Sequence, residues 1–146
     1  MRRYGTQNRD ITYTRRPGAY AIILGPKGML LTYQAAPHYE YQLPGGGIDP
    51  GEMPLQALHR EVMEETGWRI EPVRRLTAYK RFVFMPEYDI HAEKICHIYL
   101  ARAICPKDVV LEDGHQAIWM PVDDAVGMID CAPDAIAVSA FLNGLL

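Results

Sequence analysis

The chain has 146 residues, of which 49% are hydrophobic and 23% charged, with a formal net charge of −3. That size and apolar content fit one globular domain with its own core. The slight negative balance excludes the broad positive field with which proteins engage nucleic-acid polymers or anionic membranes, and leaves a small phosphorylated ligand met by local cations or a bound metal ion.

Residues 1–16 are polar and basic, lack periodicity and read as an arm leading into a domain over residues 17–146. Two apolar runs follow, Ala19 to Leu24 and Met29 to Tyr33, joined by Gly25-Pro26-Lys27-Gly28, which predicts a β-hairpin. A short extended stretch from Tyr39 to Leu43 ends at Pro44-Gly45-Gly46-Gly47, where a loop is expected. From Glu52 to Thr66 the spacing is helical: Pro54 suits the first turn, Leu55, Leu58 and Val62 form one apolar stripe, and Gly67 supplies the stop.

Residues 73–84 and 90–103 are rich in Val, Ile, Phe and Tyr and predict two strands around the loop residues Pro86 to Asp89. In the second strand, Lys94, Cys96, Ile98 and Leu100 share one face, and Glu93, Ile95, His97 and Tyr99 the other, more polar one. A strand over Ala117 to Met120 and helices near Val122 to Ile129 and Pro133 to Leu145 complete the chain. Cys96, Cys105 and Cys131 form no closely spaced pair, which points to a reducing cytoplasm and away from zinc. No export or membrane segment is predicted, because the early apolar run is far too short to span a bilayer.

The chemistry concentrates around the first helix. Glu61, Glu64 and Glu65 stand at i, i+3 and i+4, so their carboxylates are expected to converge on one face, away from the apolar stripe. Like charges at this spacing repel by roughly 0.2 to 0.5 kcal/mol per pair, and a divalent cation turns that repulsion into coordination. Oxygen-only ligands select Mg²⁺ or Mn²⁺ over zinc, and such ions bridge phosphate oxygens and offset charge on a transferring phosphoryl group. Arg60 is placed to hold a glutamate of the cluster, and Glu52 to anchor that arginine. Taken singly, the run Arg60 to Glu65 would be the solvated face of an amphipathic helix, and the glycines a flexible turn. Their joint spacing changes that.

Residues 46–68 resemble the Nudix box: Gly46, Glu52, the pair Arg60-Glu61, apolar Val62, the pair Glu64-Glu65, Gly67 and the final apolar position Trp68, which is more often aliphatic in the family. All nine specified positions over these 23 residues are matched. The flanks are similar too, at Gly18 to Ala21, Met29 to Leu31, Leu43 to Gly47 and Trp119 to Val122. The resemblance implies an α+β fold, an α/β/α sandwich around a mixed β-sheet, with the box helix and the C-terminal helix outermost.

It also implies a pyrophosphohydrolase with Mg²⁺ or Mn²⁺ held by Glu61, Glu64 and Glu65, joined by a backbone carbonyl of Gly45 or Gly46. The general base lies within the box or on a later loop, where Glu112 and His115 rank ahead of Glu93, and Asp113 is a further candidate. The expected partner is a small-molecule nucleotide, either ADP-ribose-like or a nucleoside triphosphate, with Lys80, Arg81 and Glu93 as candidate substrate contacts. A homodimer is the reference expectation for assembly. A Nudix-fold sensor that binds without turnover is the competing reading, although such modules commonly lose box glutamates or the arginine.

Overall fold

A computed structural model describes all residues from Met1 to Leu146. Its strands are β1 (Arg2–Tyr4), β2 (Thr14–Gly25), β3 (Gly28–Gln34), β4 (Glu40–Gln42), β5 (Gly45–Gly47), β6 (Trp68–Met85), β7 (Ile90–Pro106) and β8 (His115–Met120). The helices are α1 (Pro54–Thr66), α2 (Val122–Met128) and α3 (Ala132–Leu142). The sheet runs β1-β6-β7-β2-β3-β4, with β5 paired to β2 and β8 to β3. It is mixed: β1 runs parallel to β6 and β2 parallel to β7, while the remaining pairings are antiparallel.

Alternation along the central strands divides the core into two layers. Ala19, Ala21 and Ile23 of β2 pack with Leu58 and Val62 of α1 on one face. Ile22 of β2 and Cys96 and Ile98 of β7 pack with Ala125, Ile129, Ala137 and Val138 from the α2–α3 side on the other. The expected α+β sandwich is the observed one. The parity expected for β7 also holds, since Cys96 and Ile98 are buried whereas His97 and Tyr99 are half-buried. No helix is long and apolar enough to cross a membrane.

Several local expectations are corrected. The segment Gly45–Gly47 is a short strand, because its backbone pairs with Gly18, Ala19 and Tyr20 of β2. Regular structure begins before Pro17. Arg2–Tyr4 adds to the edge of β6, and parallel pairing with β7 extends β2 back to Thr14. Pairing with each other likewise carries β6 and β7 beyond their predicted limits, from Trp68↔Pro106 to Met85↔Ile90. Leu55 is exposed, since it lies in the first turn, ahead of the part of α1 where Ala57, Leu58 and Val62 close on the sheet.

Candidate active site

Helix α1 starts with Pro54 in its first turn, with Gln56 Oε1 accepting the Met53 N–H at 2.9 Å, and ends at Gly67 in a left-handed conformation (φ 73°). Burial of Leu58 and Val62, each worth about 1.5 to 3 kcal/mol, fixes which side of the helix meets the sheet. Glu65 follows these two on the same side and is only 4% exposed. The three box carboxylates therefore do not share one solvated face: Glu65 points inward, Glu61 is half-buried and Glu64 is exposed.

The glycine strand makes room for this. The Gly45 N–H donates to Glu65 Oε1 at 2.9 Å, the partner that a buried carboxylate requires. Gly45 has φ 145°, and a Cβ there would stand 2.2 Å from the Ala19 carbonyl oxygen. A Cβ on Gly46 would stand 2.5 Å from the carboxylate carbon of Glu61. The Gly46 carbonyl oxygen lies 3.0 Å from where a Cβ on Gly18 would be.

Arg60 joins the helix to the loop before it. Its Nε and Nη2 donate to the two carboxylate oxygens of Glu52, both at 2.8 Å, and Nη2 also donates to the Gly47 carbonyl at 3.0 Å. Its Nη1 donates to Glu61 Oε1 at 2.9 Å and to Glu64 Oε2 at 3.3 Å. One guanidinium thus fixes two acidic side chains against the anchored loop.

A second loop closes over the C-terminal end of α1. The Lys107 N–H donates to the Gly67 carbonyl and the Glu112 N–H to the Glu64 carbonyl, each at 2.7 Å. This docking brings in Glu112 and His115. The oxygens of Glu61, Glu64 and Glu112 lie within 4.8 Å of one another, and so do ligand atoms of Glu65, Glu112 and His115. His115 Nδ1 is 3.0 Å from the hydroxyl of buried Thr32 and 3.6 Å from Glu65 Oε2, while Nε2 is 3.6 Å from Glu112 Oε2.

Burial raises the pKa of Glu65 well above the usual carboxylate range, against the pull of the Gly45 N–H, and neighbouring carboxylates add to the rise. Burial also raises that of Glu61, opposed by Arg60. Glu52 is held down at about 2, chiefly by its hydrogen bonds from Arg60. A concentration of hard oxygen donors, two of them penalised for carrying charge without a cation, fits Mg²⁺ or Mn²⁺.

The model of the NUDIX domain family matches residues 14–139. The chain belongs to the NUDIX family. This NUDIX chain is 35% identical over 68 residues to an RNA pyrophosphohydrolase from Pectobacterium atrosepticum, covering 47% of this chain and 38% of that protein. It is 29% identical over 124 residues to a CMP-5'-(N-acetyl-N-hydroxy-3-aminopropyl)phosphonate hydrolase from Streptomyces rubellomurinus, covering 80% of this chain and 57% of that protein. In both cases the chain spans less than two thirds of the relative. A NUDIX hydrolase from Nitrosomonas europaea has the same fold, with a TM-score of 0.72, 21% identity and 90% of each chain covered.

The remaining candidate residues of this NUDIX domain separate. Lys80 Nζ and Glu93 Oε1 pair with each other at 2.7 Å, which lowers the pKa of Glu93, and Arg15 approaches the same carboxylate. Strand alternation puts this pair on the opposite face from Arg81 and Lys94. Arg81 instead lines a cleft with Tyr20, Lys94 and Asp134. Asp113 is exposed in the turn before β8. Sequence reasoning missed Thr32, the partner of His115, because a threonine inside an apolar strand carries no local sign of a polar partner 83 residues away.

Proposed function

We propose that the chain is a Mg²⁺-dependent pyrophosphohydrolase that cleaves a diphosphate linkage in a nucleotide by attack of water on phosphorus. The observation that carries this reading is the convergence of Glu61, Glu64 and Glu112 within 4.8 Å, beside an arginine that is itself anchored by Glu52. Glu61, Glu64 and Glu65 are the proposed metal ligands, with a carbonyl of Gly45 or Gly46 joining them. An ion held by these groups would offset negative charge on the diphosphate and make water easier to deprotonate. Arg60 keeps Glu61 and Glu64 in place, and Glu112 or His115 takes the proton from water. The unit proposed to carry this activity is the domain from Thr14 onward, in place of the expected 17–146, because β2 starts there and the family match begins there, while the expected arm 1–16 supplies β1 at the sheet edge.

The names of the two relatives support the substrate class, since one acts on a pyrophosphate linkage and the other on CMP joined to a phosphonate. An ADP-ribose-like compound and a nucleoside triphosphate both fall within it. The complete carboxylate and arginine set favours turnover over a sensor that only binds.

The test is hydrolysis of nucleoside triphosphates, ADP-ribose, dinucleoside polyphosphates and nucleotide sugars with Mg²⁺, with products identified by mass. Cleavage within a diphosphate by the wild type, lost in Glu64→Gln, is the expected result. Tight binding of one compound with no turnover of any would establish the sensor instead.

A further inference from the structure

The sheet register aligns three cations that the catalytic cluster does not use. Arg16 of β2 stands opposite Lys94 of β7, and Lys94 opposite Arg81 of β6. Residues directly opposite one another project from the same face, so three positive side chains stand side by side across neighbouring strands. At about 4.8 Å per strand the row extends roughly 10 Å. Like charges so placed repel, and the usual remedy is absent: none of the three forms an ion pair with a carboxylate.

No carboxylate pairs directly with the row, and the nearest charge is buried Asp134, which lies within electrostatic range of Lys94 and Arg81. Arg16 lies over the ring of Tyr88 at 4.8 Å, and Lys94 is 5.8 Å from the ring of Tyr20. Arg81 Nη1 contacts only the Cys131 sulfur, at 3.4 Å. Two carboxylates, Glu40 and Asp134, line the small cleft that Arg81 and Lys94 share with Tyr20. Asp134 is buried and accepts the Tyr79 hydroxyl at 2.6 Å, while Glu40 accepts the Gln42 amide at 2.9 Å. At the rim, Glu87 is taken by His38 at 2.8 Å.

The row lines two hollows that share Met85, Tyr88 and Lys94 on the α2–α3 face of the sheet. Lys94 and Arg81 line a cleft of about 450 Å³. Lys94 and Arg16 line a smaller, adjoining hollow with Gly18 and Gly47. Gly47 is the residue whose carbonyl accepts from Arg60, so the hollow, which lies on the α2–α3 face of the sheet, shares that backbone residue with the carboxylate site on the α1 face. The Tyr20 ring covers Gly18, but nothing lies within 4 Å of where a Cβ on Gly47 would stand, so the sheet edge is open there.

We propose that Arg16, Lys94 and Arg81 form a subsite for a phosphate group of the substrate that lies outside the diphosphate cut at α1. The inference rests on the hydrolase reading above for the identity of the diphosphate. The chemistry recognised is a phosphate dianion or phosphodiester, borne either on the sugar or further along a polyphosphate chain. The three cations suit it because guanidinium and ammonium groups satisfy phosphate oxygens and are relieved of mutual repulsion in doing so.

Two substrate pairs distinguish the sources: coenzyme A against dephospho-coenzyme A for a sugar phosphate, and diadenosine tetraphosphate against diadenosine diphosphate for a longer chain. Wild type is expected to favour the more phosphorylated member of one pair in kcat/KM by on the order of tenfold or more, the scale of one charge-assisted contact. Arg81→Gln and Lys94→Gln should each remove most of that ratio. Arg69→Gln, an exposed cation at the start of β6, should leave it in place. Binding is measured in parallel by calorimetry in EDTA, using adenosine 3′,5′-bisphosphate against AMP and tripolyphosphate against pyrophosphate.

A wild type that hydrolyses nothing, yet binds the more phosphorylated ligand more tightly and loses this in the variants, would retain the subsite and overturn the hydrolase reading. A wild type that hydrolyses its substrates with ratios near one in both pairs, unchanged in the Arg81→Gln/Lys94→Gln double variant, would overturn the subsite alone. Thermal unfolding of the variants separates lost recognition from lost folding, and relief of repulsion predicts no fall in melting temperature.

Discussion

Arg60 grips Glu52 through two parallel hydrogen bonds of 2.8 Å, from Nε to one carboxylate oxygen and from Nη2 to the other. The same carboxylate also accepts the Asp49 N–H at 3.0 Å. This contact ties the loop before α1 to the helix, and it has a pH signature. A carboxylate held at about 2 instead of 4.5 contributes stability above its unfolded value and loses it as pH falls through the folded one. Wild-type stability should therefore decline between pH 4.5 and 2, while Glu52→Gln lowers stability at neutral pH and flattens that decline. Denaturant midpoints across this range check it, and the gap between the two proteins should shrink with added salt. Parallel curves would show that Glu52 has no linked ionisation.

Neighbouring glycines should fail in different ways. Alanine at Gly45 must adopt a positive φ and meets the β2 backbone, so Gly45→Ala is expected to cost on the order of 1 to 3 kcal/mol from strain, with the clash adding to it. At Gly46 the new methyl meets the end of the Glu61 side chain, which can swing away. Gly46→Ala should thus keep nearly its full melting temperature and bind Mn²⁺ more weakly. Thermal unfolding and Mn²⁺ titration on both variants make the comparison.

Divalent-cation affinity should rise with pH. Burial raises the pKa values of Glu65 and Glu61, so each retains its proton to higher pH than a free carboxylate, and a cation must displace it. Binding measured in two buffers of different ionisation enthalpy should show proton release at mildly acidic pH, fading as pH climbs past the raised values. Proton uptake, or affinity independent of pH, would contradict the assignment of these two groups.

Thr32 has no exposed surface, and its hydroxyl lies 3.0 Å from His115 Nδ1. Thr32→Val should cost about 1 kcal/mol of stability. If the hydroxyl orients the ring, kcat falls with little change in KM, and its pH profile shifts. Loss of stability with an unchanged pH profile would leave Thr32 a purely structural partner.

The parts legible in the sequence were those set by local spacing. Glu61, Glu64 and Glu65 fall within five residues, and the apolar stripe, the glycine stop and the parity of β7 are equally local. Spacing does put Glu65 on the stripe, three residues after Val62 and seven after Leu58; what it could not show is the Gly45 N–H that makes a buried carboxylate tolerable there. The glycines look like a loop until β2 supplies their pairing partner. Lys80 and Arg81 differ by one position and so face opposite sides of the sheet, yet the sequence does not say which side holds the cleft. The row of Arg16, Lys94 and Arg81 exists only through a parallel pairing and an antiparallel one, neither of which leaves a local signal.

Hydrolysis is proposed to depend on a divalent cation held by the carboxylates of α1. The most direct test of that dependence is steady-state turnover of one cleaved nucleotide against Mg²⁺ concentration, for wild type and Glu64→Gln, with Mn²⁺ occupancy followed by electron paramagnetic resonance. The predicted result is no wild-type turnover without the ion, saturable activation with it, and a loss in the variant of both Mn²⁺ affinity and rate by on the order of a hundredfold or more. Turnover that persists in EDTA, or a Glu64→Gln protein that matches wild type in both measurements, would contradict it.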